Sequence, residues 1–151
     1  MSQLHTGGCL CGSVRFQTVG RPLMVMVCHC AMCQRATGSA FSVEPVFLKK
    51  QVELRGESLA IYSHRSSDHG RLLHFSFCQT CGNRIGLTVE RFPTTQIVYA
   101  GTFDDRTWII PDSHIFTANA APWSLFPSGV PCFTQHMFKA DGTREAPVAG
   151  T

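Results

Sequence analysis

The chain has 151 residues, with 13 Lys and Arg, 10 Asp and Glu and 7 His, and a net charge of +3 when the histidines are neutral. Hydrophobic residues make up 44% and charged residues 15% of it, which is typical of one globular domain and excludes an intrinsically disordered chain. No apolar stretch is long enough to cross a bilayer, and only Lys49 and Lys50 bring basic residues together. We therefore expect neither a membrane nor a nucleic-acid partner.

Short segments rich in Val, Ile, Phe and Tyr, separated by Gly, Pro, Asp or Ser, predict strands along most of the chain. In chain order these segments are 13–18, 23–28, 41–48, 51–55, 60–64, 72–77, 85–89, 95–102 and 114–118. A short helix or turn is predicted at 31–36, and no long apolar repeat has a helical period. The expected fold class is mainly β, with short antiparallel strands in a single domain over 1–140 and a flexible tail over 141–151.

The cysteines indicate metal binding more than disulfide bonding. The N-terminal sequence MSQLHTGGCLCG has no basic start and no apolar run, so we expect no signal peptide and a cytoplasmic location. Disulfides are rare in that reducing compartment, where spaced cysteines more often bind metal or react. Cysteines one or three residues apart also seldom pair with each other.

Seven of the eight cysteines fall into three groups, which are Cys9 and Cys11, then Cys28, Cys30 and Cys33, then Cys78 and Cys81. The third group is a C-x-x-C turn followed by Gly, which is typical of a zinc knuckle and supplies two of the four ligands of a structural zinc. The first group also ends at a glycine and can supply the other two. The middle group then remains as a three-thiolate site with an open position for water or substrate.

Spacing alone leaves alternatives open. Cys132 or His29 could close the middle site and make it a second structural zinc. The C-x-x-C turn could be a redox pair, although its flanks lack a βαβ pattern. We interpret Cys132 as a buried core thiol and His29 as a structural or supporting residue that faces away from the metal.

Four segments carry a resemblance to a known family: GGCLCGSVRF, CHCAMCQRATGSAF, FCQTCGNRI and GTFDDRTWIIPDSHIFTANAAPW. In these, up to about Phe133, the chain resembles the glutathione-dependent formaldehyde-activating enzyme family, which includes centromere-protein-V-like proteins. The resemblance implies a β-tent fold stapled by two zinc ions. It implies a structural zinc held by Cys9, Cys11, Cys78 and Cys81, and a catalytic zinc with an open position held by Cys28, Cys30 and Cys33.

The same resemblance implies a carbon–sulfur lyase or synthase that joins formaldehyde to the thiol of glutathione, giving S-hydroxymethylglutathione, or runs that reaction in reverse. The alternatives are a non-catalytic protein that binds glutathione or another small thiol, and a zinc-stabilised interaction scaffold. Relatives often carry a basic residue shortly before the third group, where this chain has Phe75. That departure bears on the choice of substrate.

Residues directly after the middle group are candidates for substrate contact. Arg35 could pair with a glutathione carboxylate, because arginine offers bidentate geometry, and Ser39 could line the same pocket. A capped turn is the alternative for this segment. Asp104 and Asp105 could form a catalytic pair, but such a dyad after Gly-Thr-Phe is more typical of a solvated turn. His114 and Trp123 are interpreted as core or pocket wall.

Overall fold

The structure is a computed structural model that describes residues 3–67 and 69–148. Its backbone forms two compact units. The first runs through Leu23 and resumes over Pro45–Ile109, and the second comprises Met24–Glu44 and the chain from Ile110 onward. No helix in the described part of the chain is long and apolar enough to span a membrane.

The regular elements are mostly strands of three to seven residues, as expected for a mainly β chain. The strands are β1 (Leu4–Gly8), β2 (Arg15–Val19), β3 (Met24–Cys28), β4 (Ser42–Leu48), β5 (Val52–Arg55), β6 (Leu59–Arg65), β7 (Leu72–Cys78), β8 (Arg84–Val89), β9 (Thr95–Val98) and β10 (Ser113–Ile115). The α-helix is α1 (Ala31–Thr37), and 3₁₀ turns cover Lys49–Gln51, Ala100–Thr102 and Thr117–Asn119.

The first unit holds two antiparallel arrangements of strands. One has the order β1-β2-β5, and the other has the order β4-β9-β8-β7-β6, in which Val46–Leu48 of β4 pair with β9. Alternate residues of β1 and β2 are buried, the period expected of strands with one face on a core. Phe16, Phe47, Ile85, Val98 and Phe103 form that core, together with two cysteines and Val14.

The second unit contains a parallel pair, which the prediction of short antiparallel strands did not include. Residues Ser113–Ile115 of β10 pair in parallel with Met26–Cys28 of β3. Three residues of β3 in a row, Val25–Val27, are buried together with the cysteine that ends it, a continuous burial pattern that parallel strands often show. Nothing in the sequence around β10 distinguishes a parallel from an antiparallel partner, because the two strands lie far apart along the chain.

The largest differences from the predicted strands occur at three places. β1 was not predicted, since LHTGG has one large apolar residue and two glycines. The strand predicted at 95–102 ends at Val98, because the chain turns at Ala100–Thr102, where the Thr102 hydroxyl donates to the Tyr99 carbonyl. The strand predicted at 114–118 ends at Ile115, because Phe116 adopts a left-handed conformation with φ 56°. The helix predicted at 31–36 is present as α1.

Candidate metal centres

The first and third cysteine groups come together within the first unit. Their four sulfur atoms, from Cys9, Cys11, Cys78 and Cys81, lie within 4.8 Å of one another. The Cys9 and Cys11 Sγ atoms are 3.5 Å apart, and those of Cys11 and Cys78 are 3.7 Å apart. Four thiolates at about 2.3 Å around a tetrahedral zinc are separated by about 3.8 Å. The four sulfurs therefore fit one tetrahedral metal ion.

Two tight turns aim these sulfurs at one point. In the β1–β2 connection Gly12 has φ 80° and donates its N–H to the Cys9 carbonyl, and in the β7–β8 connection Gly82 has φ 72° and donates to the Cys78 carbonyl. Both conformations are left-handed, where a Cβ would be strained. The glycine that follows each cysteine pair is thus required by the turn that presents the sulfurs.

Backbone and side-chain donors surround the four-cysteine cluster. The N–H of Val14 donates to the Cys9 Sγ over 3.2 Å. The contact with the Ser13 hydroxyl lowers the pKa of the Cys11 thiol to about 6, and the N–H of Asn83 lowers the pKa of the Cys81 thiol. Burial raises the pKa of the Cys78 thiol, so that sulfur needs the positive charge of a metal ion to become a thiolate.

The middle cysteine group forms a second cluster within the second unit. Cys28 is the last residue of β3, Cys30 is the N-cap of α1, and Cys33 lies in the first turn of that helix. Their sulfur atoms lie within 4.8 Å of one another. The N–H of Cys33 donates to the Cys30 Sγ over 3.3 Å, so a sulfur takes the capping role that an oxygen more often has. The strand end and the helix start fix the cluster.

Charge is shared unevenly among the three thiols. Hydrogen bonds from Cys28 and then Cys33 lower the pKa of Cys30 to about 3. The contact with Cys30 raises the pKa of Cys28, and the contacts with Cys28 and then Cys30 raise the pKa of Cys33, both well above the ordinary value. Cys28 and Cys33 are buried and Cys30 is half-buried. One thiolate held by two neighbouring thiols is a soft donor set that suits zinc once the remaining protons leave.

Glu44 is a neighbour of this cluster that the sequence reasoning missed. Its side chain is fully buried, and its Oε1 lies 3.4 Å from the Cys33 Sγ and accepts a hydrogen bond from the Ser42 hydroxyl. Burial raises the pKa of this carboxyl to about 7. An acid in the otherwise apolar strand SVEPVFL was the available signal, since a buried carboxylate is rare without a partner.

A pair of buried histidines lies beside the cluster. The His29 Nε2 and His114 Nδ1 atoms are 3.0 Å apart, and the rings of Phe41 and Phe126 contact His29 at 5.4 and 5.3 Å between centroids. Burial lowers the pKa of both imidazoles. With both rings neutral, one nitrogen donates and the other accepts. This contact links His29, which lies between Cys28 and Cys30, to His114 of β10.

The residues predicted to contact substrate lie on or just after α1. Arg35 and Ser39 are exposed, and no carboxylate in the described part of the chain lies within 4.0 Å of the Arg35 guanidinium. Gln34 has a structural role, because its amide donates to the carbonyls of His29 and Asn119 over 2.7 and 2.9 Å. Gly38 caps the helix with φ 66°.

Other residues singled out in the sequence lie apart from both clusters. Cys132 is buried, and its thiol contacts the Val130 carbonyl at 3.5 Å. Asp104 is exposed and bonds Thr6 and Arg15, and Asp105 accepts from the Thr107 hydroxyl and N–H. That is the solvated turn expected for this dyad. Trp123 is 70% exposed, so it is not part of the core.

Comparison with known proteins agrees with this architecture. A crystal structure of a Rhodobacter sphaeroides protein matches over 70% of this chain and 91% of its own length, with a TM-score of 0.53 and 20% sequence identity, which shows a shared fold. The family model described as glutathione-dependent formaldehyde-activating enzyme matches residues 4–119, a span that holds all seven clustered cysteines. On that match, the chain belongs to the family of glutathione-dependent formaldehyde-activating enzymes.

Proposed function

We propose that the protein is a zinc-dependent carbon–sulfur lyase or synthase that interconverts glutathione plus formaldehyde with S-hydroxymethylglutathione. The observation that carries the proposal is the cluster of three sulfurs at Cys28, Cys30 and Cys33, which leaves one position of a tetrahedral zinc open, whereas the other cluster supplies four sulfurs. Family membership supports glutathione-dependent formaldehyde activation as the shared chemistry.

The proposed reaction is redox-neutral. A carbon–sulfur bond forms between the glutathione sulfur and the formaldehyde carbon, the carbon–oxygen double bond becomes single, and the proton of the thiol ends on the new hydroxyl. No oxidant, reductant or third reactant is needed. Zinc has no redox chemistry, and when bound it lowers the pKa of thiols and acts as a Lewis acid.

The cysteines and Glu44 would have different roles in this reaction. Cys28, Cys30 and Cys33 would hold the catalytic zinc, and the four-cysteine cluster would hold a structural one. Half-buried Cys30 is the most accessible of the three sulfurs, so a small thiol would approach from its side. Buried Glu44 touches Cys33 and would keep that sulfur in place.

Arg35 and Ser39 are proposed to bind the glutathione moiety. Arg35 follows Cys33 by two residues on α1 and is exposed without an acidic partner among the described residues. An Arg35→Gln variant should raise the KM for glutathione about two- to fivefold, the range of an exposed ion pair, and leave kcat nearly unchanged. Steady-state kinetics checks this, and an unchanged KM would remove Arg35 from the substrate site.

The experiment that tests the function is exchange NMR of ¹³C-formaldehyde and glutathione with their adduct, in the presence of stoichiometric zinc-loaded protein. We expect faster exchange than without protein, and its loss in Cys30→Ser. Cys132→Ser is the matched control, because Cys132 is a buried thiol outside both clusters. Exchange that is no faster with protein, or that persists in Cys30→Ser with one zinc still bound, would overturn the proposal.

A further inference from the structure

A groove of about 340 Å³ opens on the first unit, and none of its lining residues is one of the clustered cysteines. It is lined by Tyr62, Phe75, Phe77, Gly82 and Arg84. Strand pairing explains why these side chains share a face: Tyr62 of β6 lies opposite Phe75 of β7, and Phe77 lies opposite Arg84 of β8. Four of the five lining residues therefore lie on strands, and Gly82 lies in the turn between β7 and β8.

Arg84 is the charged residue of this lining. Its guanidinium lies 4.7 Å above the centre of the Phe75 ring, a cation–π contact that fixes its position. No carboxylate within residues 3–67 and 69–148 lies within 4.0 Å of it, and the side-chain amide of Asn83 donates to the Arg84 backbone carbonyl, not to the guanidinium. A half-buried guanidinium with five N–H donors thus lies in the lining of the groove with no acceptor among the described residues.

The rest of the lining is aromatic. Tyr62 is 53% exposed, so one large ring face is available, and Phe75 is buried beneath the guanidinium. Gly82 adds no side chain, and a Cβ at that position would meet nothing within 4 Å. The volume lies at the small end of ligand cavities in proteins.

We propose that this groove binds a small aromatic carboxylate, with the ring against Tyr62 and Phe77 and the carboxylate on the Arg84 guanidinium. A guanidinium and a carboxylate form two parallel hydrogen bonds, and aromatic rings prefer to pack on one another. Arg84 carries the single positive charge of the lining, which a monoanion neutralises, whereas a phosphate dianion would keep an unmatched charge. The site goes beyond the proposed function, whose catalytic residues belong to the second unit.

The test uses the full-length, zinc-loaded, ¹⁵N-labelled chain titrated with phenylacetate and followed by amide chemical shifts, without thiol or aldehyde. We expect saturable shifts at Phe75, Gly82 and Arg84. Arg84→Gln should weaken phenylacetate binding about tenfold or more, the usual effect of losing a hydrogen bond to a charged group, and Arg84→Lys should weaken it less. Arg91→Gln is the matched control, because the Arg91 guanidinium lies 5.1 Å over the Phe92 ring and is not part of the groove lining. This variant should bind phenylacetate as tightly as the unmodified chain.

Two further probes separate the ring from the charge. 2-Phenylethanol, which has the ring without the carboxylate, and acetate, which has the carboxylate without the ring, should each bind at least about tenfold more weakly than phenylacetate. Tyr62→Leu should weaken phenylacetate while the amide spectrum stays dispersed. The proposal is overturned if phenylacetate gives no saturable shift, if Arg84→Gln binds it as tightly as the unmodified chain, or if inorganic phosphate binds more tightly. None of these results bears on formaldehyde exchange.

Discussion

Glu44 places a carboxyl group against the Cys33 sulfur of the three-cysteine cluster, and no basic side chain of the described residues lies within 4.0 Å of it. If Cys33 is a thiolate on zinc, an ionised carboxylate beside it would be repelled, whereas a protonated carboxyl can donate a hydrogen bond to the sulfur. Burial raises the pKa of Glu44 to about 7 and therefore favours the protonated carboxyl.

We therefore expect Glu44→Gln, which keeps an N–H donor, to hold zinc at the three-cysteine cluster nearly as tightly as the unmodified chain. Glu44→Ala should weaken that affinity about tenfold, as the loss of a partner to a metal ligand usually does. Competition with a chromophoric chelator measures both. Equal affinities in the Ala variant and the unmodified chain would show that Glu44 has no such role.

Asp104 supports the first unit through a surface ion pair. The Arg15 guanidinium, followed by the Thr6 hydroxyl, lowers the pKa of Asp104, and both charged side chains are more than 40% exposed. Because the folded pKa is depressed, the pair stabilises the fold above the unfolded pKa of about 3.9. That contribution is lost as the pH falls through the folded value.

Asp104→Asn should accordingly lower the free energy of unfolding by about 0.5–1 kcal/mol at pH 7, the range for exposed pairs, and by progressively less below about pH 4. Urea denaturation at several pH values measures this difference. The control is Glu57→Gln, because Glu57 is exposed and has no hydrogen-bond or ion-pair partner for its side chain among the described residues. This substitution should change the free energy of unfolding little. A loss in Asp104→Asn that persists undiminished at low pH would refute the ion-pair explanation.

At the residue scale, the sequence carries a signal where the chemistry is local. The spacing of Cys9 with Cys11 and of Cys78 with Cys81 could be interpreted directly, because each pair sits in one turn. Glu44 was not found, because its partner lies 11 residues away across a strand and helix. The contact between the two buried histidines, 85 residues apart, has no local signal at all.

Among the elements, α1 depends on the glycine that ends it. Gly38 has φ 66°, and a Cβ there would meet nothing within 4 Å, so the cost of a side chain is purely conformational. Gly38→Ala should lower the free energy of unfolding by about 1 kcal/mol. Gly101→Ala is the matched control, because it also has open space but no positive φ, and it should be nearly neutral. Thermal denaturation compares them, and equal losses would contradict the αL explanation.

Strand composition predicted most of the β elements, because β-branched and aromatic residues between turn residues are a local signal. It could not predict β1, where pairing with β2 rather than composition makes the strand. It also could not give the direction of β10, whose parallel partner β3 lies more than 80 residues earlier. Pairing direction is a property of the assembled sheet, not of the segment.

For the whole molecule, the two clusters should differ in what their metal does. Cys9 and Cys78 belong to the buried core of the first unit, so loss of that metal leaves uncompensated sulfurs inside a core. Cys81→Ser should therefore lower Tm by more than about 10 °C, whereas Cys30→Ser should lower it by less than about 5 °C. Each variant should bind one zinc fewer than the unmodified chain.

Metal analysis of the purified proteins together with calorimetry checks this contrast. Removal of both metals by a strong chelator should resemble Cys81→Ser in its effect on Tm. Equal losses of stability in the two variants would mean that both metals are structural, and would favour the scaffold interpretation over the enzyme.

The four-cysteine cluster joins sulfurs that are 67 residues apart in sequence, and this separation has a consequence for biosynthesis. At translation rates of about 5–20 residues per second, Cys9 and Cys11 wait on the order of 3–13 s on the ribosome before Cys78 is made. During that interval the nascent chain carries unprotected thiols that no native partner can shield. Zinc depletion or oxidising conditions during expression should therefore oxidise or misfold the nascent chain more than the same treatment affects the folded protein.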